Sequence, residues 1–116
     1  MPGDAVHLDA GQRSLVLAAI EQHCLHRQWI LYAAHVRTNH AHAALWADVA
    51  PERAMVQLKL RASRALNASG GSAPRWWARH GSTRYLWRLE QIPAAVDYVI
   101  NGQGEPMSLY PNPKRK

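Results

Sequence analysis

Residues 29–46, WILYAAHVRTNHAHAALW, constrain this chain most. Trp29 to Val36 is rich in aromatic and β-branched residues and short enough for a strand. Arg37, Thr38 and Asn39 carry turn chemistry, and His40 to Trp46 reads as the returning strand. The pattern predicts a β-hairpin.

Helical patterns flank that hairpin. Residues 9–12 read D-A-G-Q, a capping-box pattern, and the spacing predicts a helix from about Gly11 to His26 that buries Val16, Ala19, Ile20 and Cys24. Pro51 suits the first turn of a second helix over 51–67. Its apolar stripe is Met55, Leu58, Ala62, Ala65 and Leu66, and Arg53, Gln57, Arg61 and Arg64 form the polar side. That basic stripe is either a solvated face or a surface for a phosphate backbone.

Residues 68–82, ASGGSAPRWWARHGS, form one long irregular segment. Its Trp76 and Trp77 either stack bases between arginines or plug the core beneath the loop. Tyr85 to Arg88 reads as another strand, and Pro93 opens a last helix to about Asn101. With a short strand expected near Val6–Leu8, the chain order is β, α, β, β, α, β, α. The expected fold is α+β, a ferredoxin-like (split βαβ) antiparallel sheet with helices on one face and its first strand short or missing. Residues 1–110 are expected to form a single domain, with 111–116 a basic disordered tail.

Fourteen Lys and Arg stand against eight Asp and Glu, a net charge of +6 and a pI near 10.1. In so small a domain this points toward a phosphate-rich partner. No apolar run approaches the ~20 residues of a membrane helix, so no membrane partner is expected. The start, MPGDAVHLDAG, lacks the basic stretch and apolar core of a signal peptide. Cys24 stands alone, which excludes an intrachain disulfide and suits a reducing cytosol. A cytoplasmic, nucleoid-associated protein is the expectation.

His40 and His42 form an H-x-H pair. Seven histidines scattered in 116 residues would give about 0.4 such pairs by chance, so the spacing alone is a weak motif. On a strand the two imidazoles project on one side and can hold a divalent ion between them. A third ligand must come from elsewhere. His35, on the neighbouring strand, is either drawn into the site or is an ordinary buried, hydrogen-bonded histidine, the reading we favour. In the last helix Ile92, Val96, Val99 and Ile100 fall within about a 100° arc, a core-facing stripe, and Tyr98 lies about 200° from Val96. Near a metal an outward tyrosine can act as a nucleophile.

The blocks RSLVLAAIEQHCLHRQWILYAAHVRTNHAHAALW, LKLRASRALN, RWWARHGSTRYLW and AVDYVINGQGEPM together resemble the single-tyrosine HUH transposases, from about His7 to Met107. That group includes the REP-associated tyrosine transposases and the related single-strand insertion-sequence transposases. The resemblance implies a homodimeric enzyme that cuts and joins single-stranded DNA next to hairpins through a 5′-phosphotyrosine intermediate. By position, Tyr98 would be the nucleophile, and His40 and His42 would bind Mg²⁺ or Mn²⁺. Gln103 would be the third ligand if the helix breaks at Gly102, with Asn101 and Glu105 as alternatives. Lys59, Arg61, Arg64, Arg75, Arg79 and Arg84 would contact DNA.

Three departures from the family pattern stand out. Ala41 replaces the bulky residue between the histidines. Gly102 stands where a ligand is usual, and the chain starts short of a full first strand. A catalytically decayed or domesticated module that still recognises hairpin DNA is the alternative. A histidine-triad hydrolase is disfavoured because residue 44 is Ala. A ferredoxin-like RNA binder lacks its motif of stacked aromatics.

Overall fold

Helix α1, Ala10–Arg27, begins where the capping box places it. The Asp9 carboxylate accepts from the Gln12 N–H at 2.7 Å, and the Gln12 side-chain oxygen accepts from the Asp9 N–H at 2.9 Å. Two otherwise orphaned helix donors are thereby satisfied. At the other end Gln28 turns left-handed (φ 61°), and the Trp29 N–H reaches back to the Cys24 carbonyl at 2.8 Å. This closure turns the chain directly into the sheet.

The structure, a computed structural model, describes residues 7–38, 41–71, 76, 92–102 and 107–111. After α1 come β1 (Ile30–Val36), β2 (Ala41–Trp46), α2 (Pro51–Ala68), α3 (Ile92–Asn101) and β3 (Ser108–Tyr110). The described sheet is antiparallel in the order β2-β1-β3, an α+β arrangement compatible with a ferredoxin-like fold. His7–Asp9 is not a strand. Leu8 instead buries its side chain in the core, and its N–H donates to the Thr38 carbonyl. Val6, the first residue of the expected strand, lies outside the described residues. The expected strand at Tyr85–Arg88 and the tail at 112–116 lie outside the described residues.

Strand alternation sorts the side chains onto two faces, and helices cover both. Leu31, Val36, Ala41, Ala43 and Leu45 join α1 and α2 in the larger core, with Val16, Ile20, Leu58, Ala62 and Leu66 at its centre. Ala33 and Ala44 point the other way and meet Ala95 and Val99 of α3. The expectation of helices on one face is therefore corrected. The apolar stripe of α3 is long enough to need its own cover, and the sheet offers it a floor of alanines. An irregularity between Leu31 and Ala33, with Tyr32 as the extra residue, turns Tyr32 toward α3 as well.

Of the two tryptophans in the irregular segment, Trp76 plugs the larger core and donates its indole N–H to Asn67 at 2.9 Å. Its ring is thus unavailable for stacking on a base. Trp77 lies outside the described residues.

Candidate functional site

His42 sits on β2 and faces α3, on the same side of the sheet as Ala44. Its ring lies 6.2 Å, centroid to centroid, from that of Tyr98, with the two planes at 90°. Both ring nitrogens of His42 are shielded from water. Tyr98 keeps 40% of its surface exposed. Two residues 56 positions apart in the chain therefore meet at the rim where α3 crosses the hairpin.

The predicted stripe holds at Val99, Val96 and Ile100, which all join the α3 cluster, but its centre is shifted toward Ala95. Ala95 and Val99 are the buried centre of α3, and Val96 and Ile100 are only partly covered. Weighting by side-chain size misplaces the contact, because Ala33 and Ala44 leave room for close approach of the helix at its smallest residue. Relative to Ala95 and Val99, Tyr98 lies about 60° and 100° round the helix. It stands on the flank of the contact and not opposite it, and this brings it to His42.

The helix ends at Asn101, and Gly102 follows as a turn. The Gly102 N–H donates to the Tyr98 carbonyl at 2.9 Å. A Cβ at Gly102 would lie 2.7 Å from that carbonyl oxygen and 3.2 Å from Cδ1 of the Tyr98 ring. No side chain, and hence no ligand, fits at position 102 without moving the tyrosine. His40 and Gln103 lie outside the described residues. Among the described residues no group of three or more His, Cys, Asp or Glu converges as a metal cage. His42 is one imidazole donor of suitable chemistry, better matched to Mn²⁺ than to Mg²⁺.

His35 is fully buried and pairs in register with His42. It is hydrogen-bonded on both ring nitrogens, to the Val99 carbonyl at 3.3 Å and from the Met107 N–H at 2.9 Å. The reading of it as a satisfied core histidine is borne out.

On the other side of the sheet, α1 and α2 enclose a groove of about 360 Å³ lined by Gln22, His23, His26, Arg61 and Arg64 with two alanines. Arg27 and Gln57 join the lining in an adjoining cleft. No acidic residue contributes to either lining. His23 is held at its floor, 2.7 Å from the Gln57 side-chain oxygen and edge-on to Trp29, whose indole donates to Asp48 at 2.9 Å. Of the expected DNA contacts, Arg61 and Arg64 come together here. Lys59, two residues before Arg61 and so about 200° round the helix, does not line the groove. Arg75, Arg79 and Arg84 lie outside the described residues. Sequence reading missed the α1 wall, although His23, His26 and Arg27 at helical spacing carry its signal.

Cys24 is a buried thiol, and burial, with the nearby charge of Glu21 adding to it, pushes its pKa up to about 11. It is a core residue and no nucleophile. No helix among the described residues is long and apolar enough to cross a membrane. In comparisons with known proteins, no family model, no curated protein and no solved structure matches the chain.

Proposed function

We propose that this chain is a metal-dependent enzyme that nicks single-stranded DNA beside a hairpin and transfers the strand, of the single-tyrosine HUH transposase kind. The observation that carries the reading is the approach of the half-exposed Tyr98 ring to His42. In this mechanism the Tyr98 oxygen attacks the scissile phosphorus as the phenol proton leaves to solvent. The Tyr–O–P bond forms, the P–O3′ bond breaks, and the departing 3′-oxygen takes a proton from solvent to give a free 3′-hydroxyl. Joining is the same displacement reversed, so no nucleotide cofactor is consumed. His42, with His40 and Gln103, would hold Mg²⁺ or Mn²⁺, which when bound supplies Lewis-acid stabilisation of charge on the phosphoryl oxygens. Burial of Ala95 and Val99 fixes α3 on the sheet, which presets where the Tyr98 phenol can stand.

The basic α1–α2 groove supports DNA binding in this reading, and homodimerisation and nucleoid association belong to the same proposal. The groove equally favours a second reading, a module that grips hairpin DNA without cutting it. The two separate cleanly. The protein is incubated with a single-stranded hairpin oligonucleotide and Mn²⁺, and the products are run on a denaturing gel. A protein–DNA adduct that survives denaturation, and that Tyr98→Phe does not form, is the expected result. Binding without adduct by the wild type selects the second reading, and an undiminished adduct from Tyr98→Phe removes Tyr98 from the chemistry.

A further inference from the structure

His35 is the least exposed polar side chain described, at 0%. The Met107 N–H can only donate, so Nε2 of His35 must carry a lone pair. The Val99 carbonyl can only accept, so Nδ1 carries the proton. The ring is the neutral Nδ1–H tautomer, as the network assigns it.

The two partners are what make the arrangement informative. Val99 immediately follows Tyr98 in the last turn of α3, and Met107 leads into β3. One imidazole therefore holds the chain at both ends of a nine-residue span. The ring itself is anchored on the central strand, in register with His42 on one side and Leu109 on the other. Through it the central strand grips the backbone beside Tyr98. Apolar burial of Ala95 and Val99 sets how close α3 lies to the sheet, but contact between small apolar groups resists sliding along the helix axis weakly. A directional bond to the Val99 carbonyl resists that slide.

We propose that His35 is a positioning residue, whose two backbone hydrogen bonds set the register of α3 on the sheet and so hold Tyr98 against His42. The catalytic consequence rests on the reading of Tyr98 as nucleophile. The geometric consequence does not. Loss of both bonds would leave a buried carbonyl and a buried N–H unsatisfied and would free α3 to shift. Displacements of about 1 Å in a reacting pair can cost ~100-fold in rate.

The test uses the full chain with two substitutions. His35→Leu removes both bonds, and His35→Gln keeps one donor and one acceptor on a side chain of similar reach. The first readout is the NMR cross-relaxation between the Tyr98 and His42 rings. The second is the rate of covalent adduct formation with a hairpin oligonucleotide and Mn²⁺, at saturating DNA, alongside the half-saturating DNA concentration. The expected result is loss of the ring–ring signal in His35→Leu and its return in His35→Gln. With it the saturated rate falls on the order of tenfold or more, while half-saturation moves less than twofold. A folded His35→Leu that keeps the ring–ring signal overturns the proposal. Should His35→Leu not fold, His35→Gln decides: a retained signal supports the two-bond account, and a folded protein without it refutes that account. If the wild type forms no adduct, the nickase reading falls, and the ring–ring signal alone decides the role of His35.

Discussion

At position 102 the absence of a side chain is what allows Tyr98 to sit where it does. The missing Cβ would stand 2.7 Å from the Tyr98 carbonyl oxygen, a contact that real Cβ atoms do not tolerate. Within a helix alanine improves on glycine by up to ~1 kcal/mol, and Gly102, just past the helix end, has no left-handed φ that would favour glycine, so the sign of Gly102→Ala is diagnostic. We expect a loss of about 1–3 kcal/mol, the cost of overpacking, measured by urea denaturation, together with altered Tyr98 ring signals. A stabilised variant would show that α3 is not confined at its end. Cys24 offers a second test at this scale. Its thiol is held protonated by burial, with a pKa of about 11 against an ordinary 9.0. Because the folded value lies above the unfolded one, the stabilising effect is fully present below pH 9 and is lost as pH rises toward 11. The loss should reach up to ~2 kcal/mol and vanish in Cys24→Ala. In the folded protein at pH 8 the thiol should resist iodoacetamide until urea exposes it.

Among the elements, α1 and α3 differ in how their positions are set. The bounds of α1 follow from local chemistry, the capping box at Asp9 and the left-handed turn at Gln28, and its buried face is the one its periodicity predicts. Pro51 likewise opens α2, though its most buried positions are Ala54, Leu58, Ala62 and Leu66, with Met55 and Ala65 only partly covered. α3 is docked by contacts between small residues, Ala95 on Ala33 and Ala44. Ala95→Leu should therefore lift it from the sheet, at a cost of about 1–3 kcal/mol in thermal or urea denaturation. The same variant should weaken the Tyr98–His42 ring contact, while Ala94→Leu, at an exposed position one residue away, should leave both unchanged. β3 escaped prediction because three residues, Ser108 to Tyr110, carry no alternation long enough to recognise. It exists because β1 has a free edge beside it and the His35–Met107 bond delivers the chain there.

Among the described residues the sheet separates two features. One face, under α3, carries His42 and Tyr98, and beyond the other face α1 and α2 open a groove of uniformly positive or neutral lining. Binding through that groove should be electrostatic and depend on salt. Replacing Arg61 and Arg64 together by glutamine should weaken hairpin-DNA binding and flatten the plot of log affinity against log salt. The slope should fall by about 1.4 for a single-stranded contact, at ~0.7 per phosphate. An unchanged slope in a titration at several salt concentrations would remove the groove from the DNA interface.

The α+β class, the hairpin, three helices and the basic character were all legible in the sequence, because each rests on periodicity, capping chemistry or net charge acting over neighbouring residues. H-x-H and an isolated tyrosine were visible too, as separate facts. Only the tertiary structure decided that helices cover both sheet faces, that Ala95 is buried more deeply against the sheet than Val96, and that Tyr98 thereby comes to His42. Spacing reports which side of a helix is apolar on average. Which residue makes the closest approach depends on the volume of the surface it meets, and here that surface is two alanines on strands far away in the chain.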